Sequence, residues 1–398
     1  MAKTSAQETG LLRLTVSPRV ATRLKNGHPW VYRSDISSAN GIPPGALVSV
    51  ADPKGRILGT ALYSSSSQIA IRLLAPGPVE SLAELIRERI RQAIAYRKLV
   101  VSNTDAYRIL FSEADFLPGL IVDRYNDVLS LQILTQGMDS EAARATIVSE
   151  LETHLAPAAI AERVDSRVRE LEQLPARESG LLRGTKAETT FTMNGVRFQY
   201  SALAGQKTGA FLDQRENYSA AEQYAHGEAL DIFCYQGGFA LHLARRCSRV
   251  TGIDSSRPAL EIADQNATLN GREIEWIEAN AFDLLKDYAA AGHQYDTVVL
   301  DPPAFAKSRK NLETALRGYK ELHLRALKML RRGGILVTCS CSYHVSQSDF
   351  LELISSAAVD VHKSVRILEV RGQAKDHPVL LSVPETSYLK AVICHVSN

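Results

Sequence analysis

From about residue 228 the chain alternates short apolar runs rich in β-branched residues with stretches of helical period, and this rhythm restricts the fold more than any other feature. ALDIFCY, RVTGID, IEWIEAN, TVVLDPP and GILVTCS are the strand candidates. FALHLARR, PALEIADQNATLN, AFDLLKDYAA and LETALRGYKELHLRALKML are the helices between them, and SVRILEV and SYLKAVICHV close the chain as strands. The alternation predicts an α/β fold with a mostly parallel, doubly wound sheet that receives ligands outside the C-terminal ends of its strands.

The front of the chain has a different texture. Residues 11–76 read as a small β-rich module, with LLRLTV, ALVSVA, ILGTALYS and QIAIRLL as strands and Asp52-Pro53-Lys54-Gly55 as a turn. Between the first two strands, RLKNGHPWVYRSD interleaves Arg23, Lys25 and Arg33 with Trp30 and Tyr32. That mixture suits phosphate contact with base stacking, or a solvated basic face with Trp30 in the core. A helix is expected over 81–101, a β-meander over 107–136 and a second helix over 139–155. The charged stretch 157–190 reads as a surface segment or linker. TTFTM-Asn194-Gly195-VRFQY then reads as a hairpin, because Asn-Gly favours a two-residue turn. Three domains follow: 1–77, a central α+β domain at 78–200, and 201–398.

Charge and cysteine usage narrow the partners. The formal charge of the 398 residues is +2, yet residues 1–100 carry 14 Lys/Arg against 6 Asp/Glu, which points to a polyanion at the front. The start, MAKTSAQETG, has no apolar h-region and no run is long enough to span a bilayer, so a soluble, cytoplasmic protein without a membrane partner is expected. The odd count of five cysteines, with no regular spacing, argues for free thiols in a reducing compartment.

Polar residues fall at the expected strand tips. Gly237 and Gly238 follow the first strand and open a helix, where a ligand can approach the backbone. The pattern is not G-x-G-x-x-G, so a pyrophosphate cradle, and with it an NAD-dependent oxidoreductase, is disfavoured. Asp231 belongs to the first strand, Asp254 ends the second and Asn280 ends the third. A carboxylate there can accept both hydroxyls of a ribose, and an amide can read an adenine edge; each alone is also an ordinary structural cap. The ligand these residues imply carries ribose and adenine without a pyrophosphate, and S-adenosylmethionine (SAM) fits. Tyr235, Gly237, Ser255 and Ala281 flank these tips as further cofactor candidates. The fourth strand ends in Asp301-Pro302-Pro303-Ala304-Phe305, whose prolines lack N–H donors and leave carbonyls for an exocyclic amine. Phe305 either stacks on that base or packs. Strand alternation aims Cys339 and Cys341 at one face of the fifth strand, with Cys341 nearer the ligand edge as the reactive thiol. Cys339, Cys341 and His344 lack a well-spaced fourth ligand, so no metal is expected.

These motifs resemble class I SAM-dependent methyltransferases, specifically the bacterial enzymes that methylate cytosine carbon 5 in large-subunit (23S) ribosomal RNA. The matching segments are GQKTGAFLDQREN (205–217), ALDIFCYQGGFALHLA (229–244), GIDSS (252–256), EANAFDLL (278–285), VVLDPPAFAKS (298–308), RGYKELHLRALKML (317–330) and GGILVTCSCS (333–342). GHPWVYR (27–33) resembles the PUA-type RNA-binding domain such enzymes carry. The resemblance implies a Rossmann-like catalytic domain with a seven-stranded sheet behind a PUA-like domain. It also implies SAM as cofactor and large-subunit rRNA, naked or in an assembly intermediate, as partner, with a homodimer possible.

By the same resemblance Gln214, Arg215 and Asp301 lie at the cofactor. Lys207, Pro302, Phe305, Lys25 and Arg33 lie toward RNA. Cys341, of the two candidates T-C-S (338–340) and S-C-S (340–342), is the nucleophile, with Asp301 as its acid partner. Many wider relatives carry Pro-Cys where this chain has Asp301-Pro302-Pro303, so the base that removes the carbon-5 proton is unassigned. The rival readings are an rRNA guanine N-methyltransferase, which needs no cysteine, and a non-catalytic RNA-binding ribosome assembly factor.

Overall fold

The computed structural model describes residues 11–36, 39–203, 210–306 and 309–397. The expected doubly wound sheet is present, with seven strands. In chain order they are Glu228–Ile232, Arg249–Asp254, Glu275–Glu278, Tyr295–Leu300, Leu330–Ser340, Ser364–Arg371 and Lys390–Ser397. Across the sheet the order is third, second, first, fourth, fifth, seventh, sixth. The first five run parallel, and the seventh inserts antiparallel between the fifth and the sixth. Both faces are apolar: Ala229, Val299 and Val337 point into one core, and Leu230, Val298 and Leu336 into the other. That arrangement explains why these strands read as unbroken apolar runs. The strand order reverses beside the first strand, so a crevice opens at the tips of the first and fourth strands.

In front, Leu12–Thr15, Trp30–Tyr32, Leu47–Ala51, Ile57–Tyr63 and Ile69–Ala75 form a five-stranded sheet. The Asp52 turn is real: its Oδ1 accepts the N–H groups of Lys54 and Arg56. Sequence reasoning missed the helix Pro18–Lys25, which Ser17 caps and which buries Val20, Ala21 and Leu24. Eight residues are too few for a helical period to stand out among strands.

The central sheet corrects the expectation for 157–190. Ala159–Glu162 is a fully buried strand beside Val128–Ile133, followed by a helix, Ser166–Glu172, and an edge strand, Gly180–Gly184. The segment looked solvated because its charges are spent internally. Arg144 binds Glu162 (2.9 Å), Arg169 binds Asp139 (3.0 Å) and Glu172 takes Arg72 (3.4 Å). The hairpin Glu188–Met193/Val196–Ser201 forms as expected, with Asn194 and Gly195 both at positive φ. Its Phe191, Phe198 and Tyr200 share one core with Tyr125 of the central sheet and Tyr218 and Phe239 of the catalytic part. None of the described helices is long and apolar enough to cross a membrane.

Candidate active site

The backbone beyond the first strand is folded tightly, with Phe233 (φ 67°), Tyr235 (φ 49°) and Gly237 (φ 83°) in the left-handed region. A non-glycine residue there is strained, and strain of this kind concentrates at ligand sites. A Cβ on Gly237 would stand 2.9 Å from Trp276, and one on Gly238 2.5 Å from Tyr218. Asp231 holds this turn, its Oδ2 accepting the Ala240 N–H at 2.8 Å. Its Oδ1 is buried and, among the described residues, has no hydrogen-bond partner. Burial, with the nearby charges of Asp301 and Asp254, pushes the Asp231 carboxyl up to about 8. Asp254 accepts Tyr235 N–H (2.9 Å) and Ser256 N–H (2.9 Å), one on each oxygen. Asn280 caps the helix Ala281–Ala291 through its side-chain oxygen, with Ala281 buried at the first helical position and Ser255 exposed.

A second cluster sits where the fourth and fifth strands end. Gln214, on the turn Leu212–Gln214, donates to Asp301 Oδ2 at 3.0 Å and accepts from Asn217 at 2.7 Å. Burial, with the charge of Asp213, raises the Asp301 carboxyl to about 7. Cys339 lies wholly inside the core, whereas Cys341 stands just past the fifth strand and keeps partial exposure. The serines on either side of Cys341 are clamped. Tyr319 Oη accepts from Ser340 (2.9 Å) and lies 3.0 Å from Ser342 Oγ, which in turn accepts the Ala306 N–H (3.2 Å). The thiol turn and the Asp301–Phe305 loop are therefore one hydrogen-bonded unit. Burial and the charges of Asp301 and Asp213 push the Cys341 thiol up to about 11, with Lys390 opposing.

Not every candidate joins the cluster. Both outer nitrogens of Arg215 bind Asp376 (2.8 and 3.0 Å), and its side chain is 2% exposed. The structure thus holds Arg215 as a latch within the fold, its guanidinium engaged by Asp376. Arg33, expected to face RNA, instead donates to the carbonyls of Ser64 (2.8 Å) and Ser67 (2.9 Å). Lys25 is exposed at its helix end. Pro302 is buried, and Phe305 packs on Tyr319 with ring centroids 4.8 Å apart. Tyr235 meets Phe211 at 5.1 Å. Lys207 lies outside the described residues. Sequence reasoning missed Asp213, Tyr319 and Lys390. Tyr319 sits inside the quoted RGYKELH segment and Lys390 is the only lysine in the last strand, but neither signals a site until the strands are laid side by side.

The sheet order, the acidic strand tips and the small β-rich front module together define a class I SAM-dependent methyltransferase with a PUA-like domain. Residues 14–76 match the PUA-like domain, and residues 114–392 match the S-adenosylmethionine-dependent methyltransferase family. The chain belongs to the family of ribosomal RNA large subunit methyltransferase I. The protein of that name from Photobacterium profundum is 37% identical over 385 residues, covering 94% of this chain and 96% of its own. That of Escherichia coli O139:H28 is 34% identical over 396 residues, covering 97% and 99%. Among solved structures, SMU.776, a methyltransferase complexed with SAH, shares the fold across 97% of this chain and 100% of its own (TM-score 0.83, 20% identity). A SAM-dependent methyltransferase of Streptococcus mutans does so equally (TM-score 0.82, 19% identity, 97% and 100%). The chain is thus a SAM-dependent enzyme acting on large-subunit rRNA. The donor set fits SAM: the orphaned, buried Asp231 oxygen suits a ligand cation, and Asp254 retains lone pairs for hydroxyls.

Proposed function

We propose that this enzyme makes 5-methylcytosine in large-subunit rRNA through a covalent bond between Cys341 and cytosine carbon 6. The observation that carries the reading is the shared cluster of a partly exposed thiol, Cys341, and a buried carboxyl raised to about 7, Asp301, at adjacent strand ends. Cytosine carbon 5 is a poor nucleophile until a thiolate adds at carbon 6 and makes it an enamine carbon. Asp301, in the protonated form that its raised titration leaves populated at neutral pH, donates to ring nitrogen 3 as charge develops there. SAM, when bound, supplies the electrophilic methyl group. Asp231, Asp254 and Asn280, with Tyr235, Gly237, Ser255 and Ala281 around them, would hold it. Water then takes the carbon-5 proton, the carbon–hydrogen pair forms the carbon 5–carbon 6 double bond, the carbon–sulfur pair leaves with Cys341 as thiolate, and nitrogen 3 returns its proton to Asp301. The target base is splayed from its helix to reach this crevice. In the three-part division at 77 and 200, the front domain contacts RNA with Lys25 on its exposed face, and the enzyme works in the cytoplasm.

Incubation with large-subunit RNA carrying 5-fluorocytosine tests this directly. Wild type should give a SAM-dependent covalent RNA adduct mapping to Cys341, and Cys341→Ala should give none. An adduct that survives Cys341→Ala but disappears in Cys339→Ala would move the nucleophile to Cys339. Full methylation by the Cys339/Cys341 double variant would favour methylation of a guanine nitrogen.

A further inference from the structure

We propose that Lys390 is a positioning residue for Cys341: its ammonium is the fixed positive charge that stabilises the Cys341 thiolate as it forms. The inference deepens the reading of Cys341 as nucleophile and rests on it. Lys390 is the first residue of the seventh strand, which inserts beside the fifth, and its register partner is Ser340, the residue before Cys341. Its Nζ donates to the carbonyl of Ser342, the residue after Cys341, at 2.6 Å. A second bond runs to the Tyr388 carbonyl at 3.0 Å. The lysine is thus paired with one neighbour of the thiol and bonded to the other. It is also buried, at 9% exposure. A buried ammonium is costly unless its position does something for it, and two carbonyls fix that position without neutralising the charge.

The surroundings explain why the thiol needs such a partner. The ionisable groups acting on Cys341 are Asp301 at the fourth strand's end, Asp213 on the turn before Arg215, and Lys390 on the seventh strand. Tyr319, from the helix Leu312–Met329, and Cys339 are coupled to it as well. The two carboxyls and burial oppose a thiolate, and Lys390 alone among the first three favours one. The influence is mutual. Burial lowers the Lys390 ammonium to about 8, and Cys341 works to raise it, so the lysine is still mostly charged at neutral pH.

The step balances simply. The S–H bond of Cys341 breaks, the proton leaves to solvent, and the electron pair stays on sulfur within the field of the ammonium. When carbon 6–sulfur cleavage later returns that pair to sulfur, Lys390 receives the same thiolate again. One residue therefore serves both the addition and the expulsion.

The test is the pH profile of Cys341 alkylation by iodoacetamide in the full-length enzyme, read by peptide mass spectrometry. It compares wild type with Lys390→Gln and Lys390→Arg. Glutamine can still donate to the Ser342 carbonyl but carries no charge; arginine keeps the charge. Half-buried Cys247 serves as the internal control thiol, and SAM binding by calorimetry reports folding. Lys390→Gln should slow Cys341 alkylation roughly tenfold near neutral pH, where the lysine is charged, with the difference fading as pH rises past the lysine's own titration, while Lys390→Arg stays within about threefold of wild type. Cys247 should not change in either. A Lys390→Gln profile that superimposes on wild type overturns the proposal. So does an equal loss in Lys390→Arg, which would make the effect one of shape. Because alkylation needs no RNA, a failed fluorocytosine adduct would count against the nucleophile reading and leave the Lys390–Cys341 coupling to be judged by its own measurement.

Discussion

The buried pair between Arg215 and Asp376 should govern stability. Arg215 opens the helix Arg215–Tyr224 in the catalytic part, and Asp376 follows the sixth strand. Two bonds of 2.8 and 3.0 Å join them, with side-chain exposures of 2% and 0%. Asp376 Oδ2 also accepts the backbone N–H of Arg108 in the central sheet at 2.8 Å, and its carbonyl takes Arg97 at 2.8 Å. Although burial works against it, His377 and Arg215 hold the Asp376 carboxyl well below the usual carboxylate range. Asp376→Ala would leave a buried guanidinium with Glu216, 3.7 Å away, as its remaining carboxylate. Removing one member of such a pair costs about 3–5 kcal/mol, whereas replacing both with apolar residues of similar size is often neutral. The double variant Arg215→Met/Asp376→Leu should therefore recover most of the loss, retaining about 1–3 kcal/mol for the stranded Arg108 N–H. Urea unfolding followed by the fluorescence of Trp30 and Trp276, one in the front sheet and one in the catalytic sheet, measures both variants. A single substitution that costs less than about 1 kcal/mol, or a double variant no more stable than the single, would refute the reasoning.

Other consequences are as concrete. Asp231 and Asp301 are raised to about 8 and about 7, so the folded state keeps protons that the unfolded chain releases from about pH 4. Stability falls as pH rises through that window, and Asp301→Asn should therefore gain in unfolding midpoint at pH 8 relative to wild type but not at pH 4; equal shifts at both would contradict the linkage. Gly238→Ala forces a methyl against the Tyr218 ring and should cost about 1–3 kcal/mol in urea unfolding, much of it regained when Tyr218 is shortened to leucine. Tyr319→Phe removes the hydroxyl joining Ser340 and Ser342. It should slow fluorocytosine adduct formation by about tenfold, near the 1.4 kcal/mol expected of a lost buried hydrogen bond, while calorimetric SAM affinity stays unchanged. A matched loss of SAM affinity would place Tyr319 in cofactor binding instead.

The catalytic sheet was legible from residue 228 onward because its central strands are buried on both faces, so burial writes itself into the order of apolar residues. The same logic failed at 157–190. There the strand Ala159–Glu162 is buried, but the charges around it pair with Arg144, Asp139 and Arg72 from elsewhere in the chain. Local composition cannot tell a solvated charge from one neutralised at a distance. The partners of Arg33 and Arg215 were hidden for the same reason. Both look available in sequence, and both are consumed by carbonyls or a carboxylate from remote segments.

The sequence by itself determined the α/β alternation, the acidic residues at the strand tips, and the place of Cys341 at the end of the fifth strand, since period-two alternation and strand ends are local properties of the chain. Only the tertiary structure decided how charge is distributed around that thiol. Asp213, Asp301, Tyr319 and Lys390 come from four separate segments and converge on Cys341, Asp301 because the fourth strand lies beside the fifth and Lys390 because the seventh inserts on its other side. Coulomb interactions depend on distance through space, and distance through space is set by strand order, which the chain specifies only once it is folded.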